Sequence, residues 1–146
     1  MTVATYHRGR KRITAAGTGA VVVAGVAVAF LRWKPFRVAI DGASMVPTLL
    51  PGDWALAVAG AGLQRGDVVV VEHPGRPGYE MVKRLTAGPG DRVDERVLGG
   101  DEFWVEGDHR ASSTDSRHFG PIHRGELKAK VLLVYWPRER RRMLRG

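Results

Sequence analysis

A long uncharged stretch near the start of the chain limits how this sequence can fold more than any other feature. Ile13–Leu31 forms 19 consecutive positions without a charged side chain. A helix of this length, rising about 1.5 Å per residue, spans about 28 Å and nearly matches the hydrocarbon core of a bilayer. The stretch therefore predicts one transmembrane helix at residues 13–31, preceded by a basic cytoplasmic segment at residues 1–12.

The flanks of this stretch favour a retained membrane anchor with its N-terminus in the cytoplasm. Residues 1–12 contain four basic side chains, and Trp33 and Phe36 follow the stretch where aromatic residues mark a membrane interface. A cleaved signal peptide is the alternative, because a basic start, an apolar stretch and an A-x-A site at residues 27–29 also fit that pattern. The length of the stretch and the cations directly after it favour the anchor.

The net charge of +8 is concentrated at the two ends of the chain. Residues 1–40 carry +7 and residues 137–146 carry +4, so the body between them carries −3. This distribution argues against a nucleic-acid-binding face and favours contact of the ends with anionic lipid headgroups. Residues 137–146 are equally consistent with a solvated basic tail.

Two counts exclude whole classes of chemistry. The chain has no Cys, which excludes disulfides, thiolate metal sites and a thiol nucleophile. Its five His residues form no HExxH or comparable ligand spacing, so a zinc hydrolase has little support.

From residue 37 onward, short apolar runs alternate with turn signals rich in Gly, Pro and Asp. This punctuation, without sustained helical periodicity, predicts a compact all-β domain over residues 37–136. The predicted strands are Val38–Ile40, Trp54–Val58, Val68–Glu72, Glu80–Thr86, Phe103–Glu106 and Ala129–Trp136.

Two residues in this domain suggest a catalytic pair. Ser44 lies in a loop with Gly42 and Pro47, just after the first predicted strand, where a hydroxyl can be presented. Lys83 stands inside an apolar strand, and the period of two places it on one face with Met81 and Leu85. Burial would lower the pKa of its amine from about 10.4, and only a neutral amine can accept a proton from a hydroxyl. The ordinary alternatives are a turn serine and a lysine that reaches solvent at a strand edge.

Four sequence boxes in order resemble type I signal peptidases, most closely the mitochondrial inner-membrane peptidases and their small bacterial relatives. They are Ser44–Leu49, Arg65–Val69, Val82–Leu85 leading into Gly88–Asp91, and Gly107–His109 with Ser113–Ile122. The resemblance implies a membrane-anchored serine endopeptidase with a compact antiparallel β-sheet or barrel-like domain. It implies no cofactor and no metal.

The family pattern also implies roles for individual residues. Ser44 would be the nucleophile and Lys83 the general base. Ser113 would hydrogen-bond and orient the Lys83 amine, while Asp115 and Arg117 would form a structural ion pair. Many members carry a hydroxyl residue two positions before the nucleophile, to stabilise the oxyanion, but this sequence has Gly42 there. The oxyanion hole would then rest on backbone N–H groups, that of Ser44 and a second candidate at Gly42.

The implied substrates are preproteins with small residues before the cut, processed at the outer face of the cell membrane. A specialised maturation protease with one or few substrates fits the same motifs. A self-cleaving Ser/Lys regulator would need a DNA-binding module where this chain has a membrane-length stretch. A non-catalytic, membrane-anchored β module would require the Ser44 and Lys83 motifs to be coincidental.

Overall fold

The computed structural model describes residues 34–146 together with Gly25 and Val28. The predicted segment at residues 1–12 therefore lies outside the described residues. So does the predicted segment at residues 13–31, except for Gly25 and Val28. Within the described part of the chain, no helix has the length and apolar character needed to cross a membrane.

Residues 34–146 form a mostly β structure. The strands are β1 (Pro35–Ala39), β2 (Trp54–Val58), β3 (Val68–His73), β4 (Arg76–Ala87), β5 (Arg92–Val93), β6 (Arg96–Val97), β7 (Glu102–Glu106), β8 (Ile122–His123), β9 (Leu127–Trp136) and β10 (Arg142–Met143). One helical turn, α1 (Ser116–Phe119), and three 3-10 turns (Arg110–Ser112, Arg124–Glu126 and Arg138–Arg140) complete the regular structure of this part.

All six strands predicted from the sequence are confirmed, most with shifted or longer bounds. The largest extension is in β4, which begins at Arg76 because Arg76 and Glu80 still pair with His73 and Glu72 of β3 although residues 76–80 are exposed. The four two-residue strands were not predicted, since such short pairings leave no period in the sequence.

The pairings are antiparallel, and the main sheet runs in the order β1-β2-β9-β3-β4-β7-β8, with β10 added beside β9. β5 and β6 form a separate hairpin sheet. Among residues 34–146 no pairing joins β1 to β8, so hydrogen bonds do not close the sheet into the expected barrel-like form.

β3 is the middle strand of the main sheet, and both of its faces are covered. Val68 and Val70 belong to a cluster that includes residues of β2 and β9, and Val69 and Val71 belong to a second cluster that includes residues of β4 and β7. Its run of four valines is typical of a strand buried on both sides.

Residues 137–146, expected as a basic tail, pack against the domain instead. A 3-10 turn at Arg138–Arg140 leads into β10, and Leu144 packs against the first core cluster. The Arg140 Nε atom lies 2.6 Å from Oδ1 of the fully buried Asp53. Alternate residues of this segment, Arg140, Arg142 and Leu144, are half-buried against the domain. With five arginines in ten residues, this alternation was not visible in the sequence.

Candidate active site

Ser44 lies in the loop between β1 and β2 and is held there by its neighbours. Met45 and Leu49 are 1% and 0% exposed and anchor the loop in the first core cluster, and the Leu49 N–H donates to the Met45 carbonyl at 2.8 Å. The Ser44 carbonyl accepts a hydrogen bond of 2.9 Å from the His109 N–H. Buried side chains and backbone hydrogen bonds thus fix the backbone around Ser44, which itself is only partly covered.

Lys83 comes from the middle of β4 and points to the same place. Met81, Lys83 and Leu85 alternate as buried residues along the strand, as the period of two predicts, and Lys83 is only 4% exposed. Its Nζ atom lies 2.8 Å from the Ser44 Oγ atom, a contact between residues 39 positions apart. The fold therefore brings the two proposed catalytic residues within hydrogen-bonding distance.

The environment of Lys83 shifts the equilibrium of its side chain toward the neutral amine. Burial lowers the pKa of the Lys83 amine below its ordinary value. The negative charge of Asp115 opposes this shift in part, and the positive charge of Arg117 adds to it. The result is a lowered pKa at an amine in contact with a hydroxyl, which is what a general base requires.

The Ser113 hydroxyl does not make the contact expected from the sequence. It donates to Asp115 Oδ2 at 2.6 Å, whereas the Lys83 amine donates to Ser44. Within residues 34–146 no hydrogen bond joins Ser113 to Lys83. The carboxylate is a stronger acceptor and lies only two residues away, so it takes the hydroxyl proton.

Asp115 and Arg117 form a bidentate ion pair, with Arg117 Nε 2.9 Å from Asp115 Oδ1 and Nη2 2.6 Å from Oδ2. The Gly107 N–H donates to Asp115 Oδ2 at 2.9 Å. Burial pushes the pKa of Asp115 upward, but hydrogen bonds from Arg117, Gly107 and Ser113 outweigh it and lower that pKa to about 2. A fixed carboxylate thus ties together the segment from β7 to α1 that lies beside the Ser44 loop.

Gly107 allows this segment to approach the Ser44 loop closely. A Cβ atom at this position would overlap the Ser113 side chain and lie 2.6 Å from the Ser44 carbonyl oxygen. Only glycine fits such an approach of two backbones. The Gly107-Asp108-His109 motif was recognised in the sequence, but nothing there showed why it begins with glycine.

A second ion pair, between Arg84 and Asp108, also braces the site and was not assigned a role from the sequence. Arg84 Nε and Nη2 each lie 2.7 Å from an oxygen of Asp108, and Nη2 also donates to Thr48 Oγ1 at 3.0 Å. Burial raises the pKa of Asp108, but hydrogen bonds from Arg84 and Thr48 outweigh it and the net shift is downward. Arg84 thus links the strand of Lys83 to the loop of Ser44.

A groove of about 760 Å³ leads to Ser44 and Lys83. Its walls include β1 and the first part of β4. Within residues 34–146, β1 pairs on one side only and β4 pairs with β7 only from Arg84 onward, so residues 79–83 keep one unpaired edge in this part of the chain. The groove therefore offers two strand edges to an extended peptide.

Gly42 also lines this groove, where an added Cβ would meet no atom within 4 Å. The backbone N–H groups of Gly42 and Ser44 donate to no other residue in the described part of the chain. Across that same part, no three His, Cys, Asp or Glu side chains are grouped so that they could hold a metal ion.

Several known proteins have sequences similar to this chain. A sequence profile described as signal peptidase, peptidase S26, matches residues 10–99 and 94–136. Mitochondrial inner membrane protease subunit 2 of Mus musculus is 36% identical over 140 residues, covering 84% of this chain and 79% of the mouse protein. The Homo sapiens subunit 2 is 35% identical over 147 residues, covering 90% of this chain and 84% of its own length.

A plant relative shows similar identity over a shorter alignment. The mitochondrial ATP-independent inner membrane protease subunit 1a of Arabidopsis thaliana is 39% identical over 119 residues, covering 68% of this chain and 70% of its own length. The profile spans nearly all of the β domain, including the segments that carry Ser44, Lys83 and Asp115. The chain therefore belongs to the signal peptidase family, peptidase S26.

Proposed function

We propose that this protein is a membrane-anchored serine endopeptidase that removes signal or leader peptides from exported preproteins. The observation that carries the proposal is the 2.8 Å contact between the Lys83 amine and the Ser44 hydroxyl. The lysine is buried, its pKa is lowered, and the pair lies in a groove with two open strand edges. These features support a nucleophile with an adjacent general base.

In the proposed reaction, neutral Lys83 takes the Ser44 proton as Oγ attacks the scissile carbonyl carbon. The N–H groups of Ser44 and Gly42 stabilise the negative charge on the carbonyl oxygen. The protonated Lys83 then gives its proton to the leaving amine, and the C–N bond breaks to form an acyl-enzyme. Water attacks this ester with Lys83 again as the base, releasing the carboxylic acid and restoring Ser44.

Ser113, Asp115 and Arg117 support this reaction indirectly in the proposed mechanism. The Asp115 carboxylate binds the Arg117 guanidinium, the Ser113 hydroxyl and the Gly107 N–H. It thereby fixes the segment that packs against the Ser44 carbonyl. Asp115 raises the pKa of Lys83, which works against the neutral amine. We therefore expect Asp115 to act by ordering the site and not by activating the base.

We propose that the substrate binds as an extended segment between the free edges of β1 and β4. Side chains next to the cut would face Ser44 and Lys83. Met45 also lines the groove. This lining suits the small residues expected next to the cut. Mitochondrial inner membrane proteases are among the relatives, which supports a membrane location. Residues 13–31 would supply the anchor, with the catalytic domain on the outer face.

The direct test incubates the purified chain with a detergent-solubilised preprotein that carries an Ala-x-Ala site. We expect one new N-terminus directly after that site, identified by N-terminal sequencing. A panel of unrelated preproteins then separates the two kinds of peptidase: cleavage of most of them indicates a general enzyme, and cleavage of one or few indicates a specialised maturation protease. No cleavage of any substrate would contradict the proposal.

The rate of cleavage is expected to rise with pH. Lys83 is active as a neutral amine, and its lowered pKa makes that form available at a lower pH than for an ordinary lysine. The profile of kcat/KM should therefore increase from pH 6 and level off above the Lys83 pKa, below the ordinary lysine value of about 10.4. A profile that is flat or falls between pH 6 and 9 would contradict lysine as the base.

The membrane topology can be tested with tags on each side of residues 13–31. We expect the C-terminal tag to be digested by protease added to intact spheroplasts and the N-terminal tag to be protected, because the catalytic domain lies outside in this proposal. Both tags become accessible after lysis, which serves as the control. A protected C-terminal tag, or a soluble product with a mature N-terminus at Phe30, would contradict the anchored topology.

A further inference from the structure

The arginine-rich segment at residues 137–146 contacts the loop that carries Ser44. Arg142 donates from Nη2 to the Thr48 carbonyl, and its Nη1 donates to the Arg140 carbonyl at 3.0 Å. Thr48 lies four residues after Ser44, and its hydroxyl accepts a hydrogen bond of 3.0 Å from Arg84 Nη2. Thr48 is thus held between β10 and β4.

Arg140 contacts the end of the same loop. Its Nε donates to Asp53 Oδ1 at 2.6 Å, and the other oxygen of Asp53 accepts from the Leu50 N–H at 3.0 Å. Asp53 is 0% exposed, so these partners take the place of water around its side chain. Arg140 therefore stabilises the turn that closes the Ser44 loop before β2 begins.

Leu144 adds an apolar contact between the same two regions. Its N–H donates to the Leu132 carbonyl at 2.8 Å, and its side chain packs on the cluster that contains Met45 and Leu49. Arg140, Arg142 and Leu144 are half-buried, whereas the alternating residues Arg141, Met143 and Arg145 are exposed. The segment thus has an inner side directed at the Ser44 loop and an outer side in solvent.

We propose that Arg140 and Arg142 are positioning residues that hold the Ser44 loop in its reactive arrangement. The inference rests on the proposed function, since it concerns the same nucleophile. The contacts reach the loop after Ser44, whereas among residues 34–146 neither arginine hydrogen-bonds to β1 or β4, the strands that line the groove. Loss of the contacts should therefore impair the chemical step more than substrate binding.

The test compares Arg142→Ala and Arg140→Ala with Arg141→Ala, a matched control from the outer side. Arg141 donates to the Tyr135 carbonyl and does not contact the Ser44 loop. For the first two variants we expect kcat to fall about 10- to 100-fold, because small displacements of a nucleophile have effects of that size, with KM changed less than about twofold. Arg142→Lys should recover part of the loss. All rates are measured well below each variant's melting temperature.

Hydrogen exchange of the Leu49 amide gives a readout that does not depend on activity. This amide bonds to the Met45 carbonyl within the loop, so its exchange should quicken in Arg142→Ala and remain unchanged in Arg141→Ala. An unchanged kcat in Arg142→Ala, an equal loss in Arg141→Ala, or unaltered exchange would each overturn the positioning role. If the wild-type protein cleaves no preprotein, the proposed function fails, and the exchange experiment alone decides whether Arg142 orders the loop.

Discussion

Replacing Ser44 by alanine or Lys83 by methionine is expected to abolish preprotein cleavage, with kcat/KM lower by about 10⁴-fold or more. Ser44→Ala removes the attacking oxygen, and Lys83→Met removes the amine that lies 2.8 Å from it. Because the two groups act as a unit, the double variant should lose little more than either single one. The measurement is steady-state cleavage of the preprotein substrate described above.

Stability measurements distinguish loss of chemistry from loss of fold in Lys83→Met. The pKa of Lys83 is lowered by burial in the folded state, so the unfolded chain binds more protons between that pKa and about 10.4. The free energy of unfolding of the wild type should therefore increase with pH across this window. In Lys83→Met this increase should be absent. At pH 7, Lys83→Met should be at least as stable as the wild type in urea.

The control for this pair is Lys128→Met, which removes a half-exposed amine that pairs with Glu72. We expect its cleavage rate to match that of the wild type. Full activity in purified Ser44→Ala or Lys83→Met would refute the catalytic pair, whatever the control shows.

Gly107→Ala is expected to lower kcat by about 100-fold or more, although it adds only a methyl group. The new Cβ would overlap the Ser113 side chain and lie 2.6 Å from the Ser44 carbonyl oxygen, so the backbones must move apart. A displacement of about 1 Å at the nucleophile is enough for a loss of that size. Forced overlaps in packed sites also cost about 1–3 kcal/mol of stability, which a urea titration would detect.

Gly125→Ala is the matched control, since a Cβ there meets no atom within 4 Å. It should leave both activity and stability close to those of the wild type. If Gly107→Ala kept wild-type kcat, the close contact between its segment and the Ser44 loop would not matter for catalysis.

The regular part of the fold was predictable because its strands have a repeating pattern. Alternation placed Lys83 among apolar residues of β4, and the apolar run at Val68–Glu72 predicted β3. The Ser113 contact with Lys83 was expected from the family pattern but is not formed; the Ser113 hydroxyl donates instead to Asp115 Oδ2 at 2.6 Å. Which of several acceptors takes one hydroxyl proton depends on positions that a motif does not contain.

By itself the sequence determined the local properties: the six main strands, the apolar face around Lys83 and the turn that contains Ser44. These depend on neighbours within a few positions, where steric preference and alternation act. Only the tertiary structure decided that Lys83 meets Ser44 across 39 positions and that Arg140 meets Asp53 across 87. Such contacts depend on strand order and register, which are set by the packing of both faces of the sheet together. The arginines that suggested a basic tail therefore contact the two ends of the turn that follows Ser44, at Thr48 and Asp53.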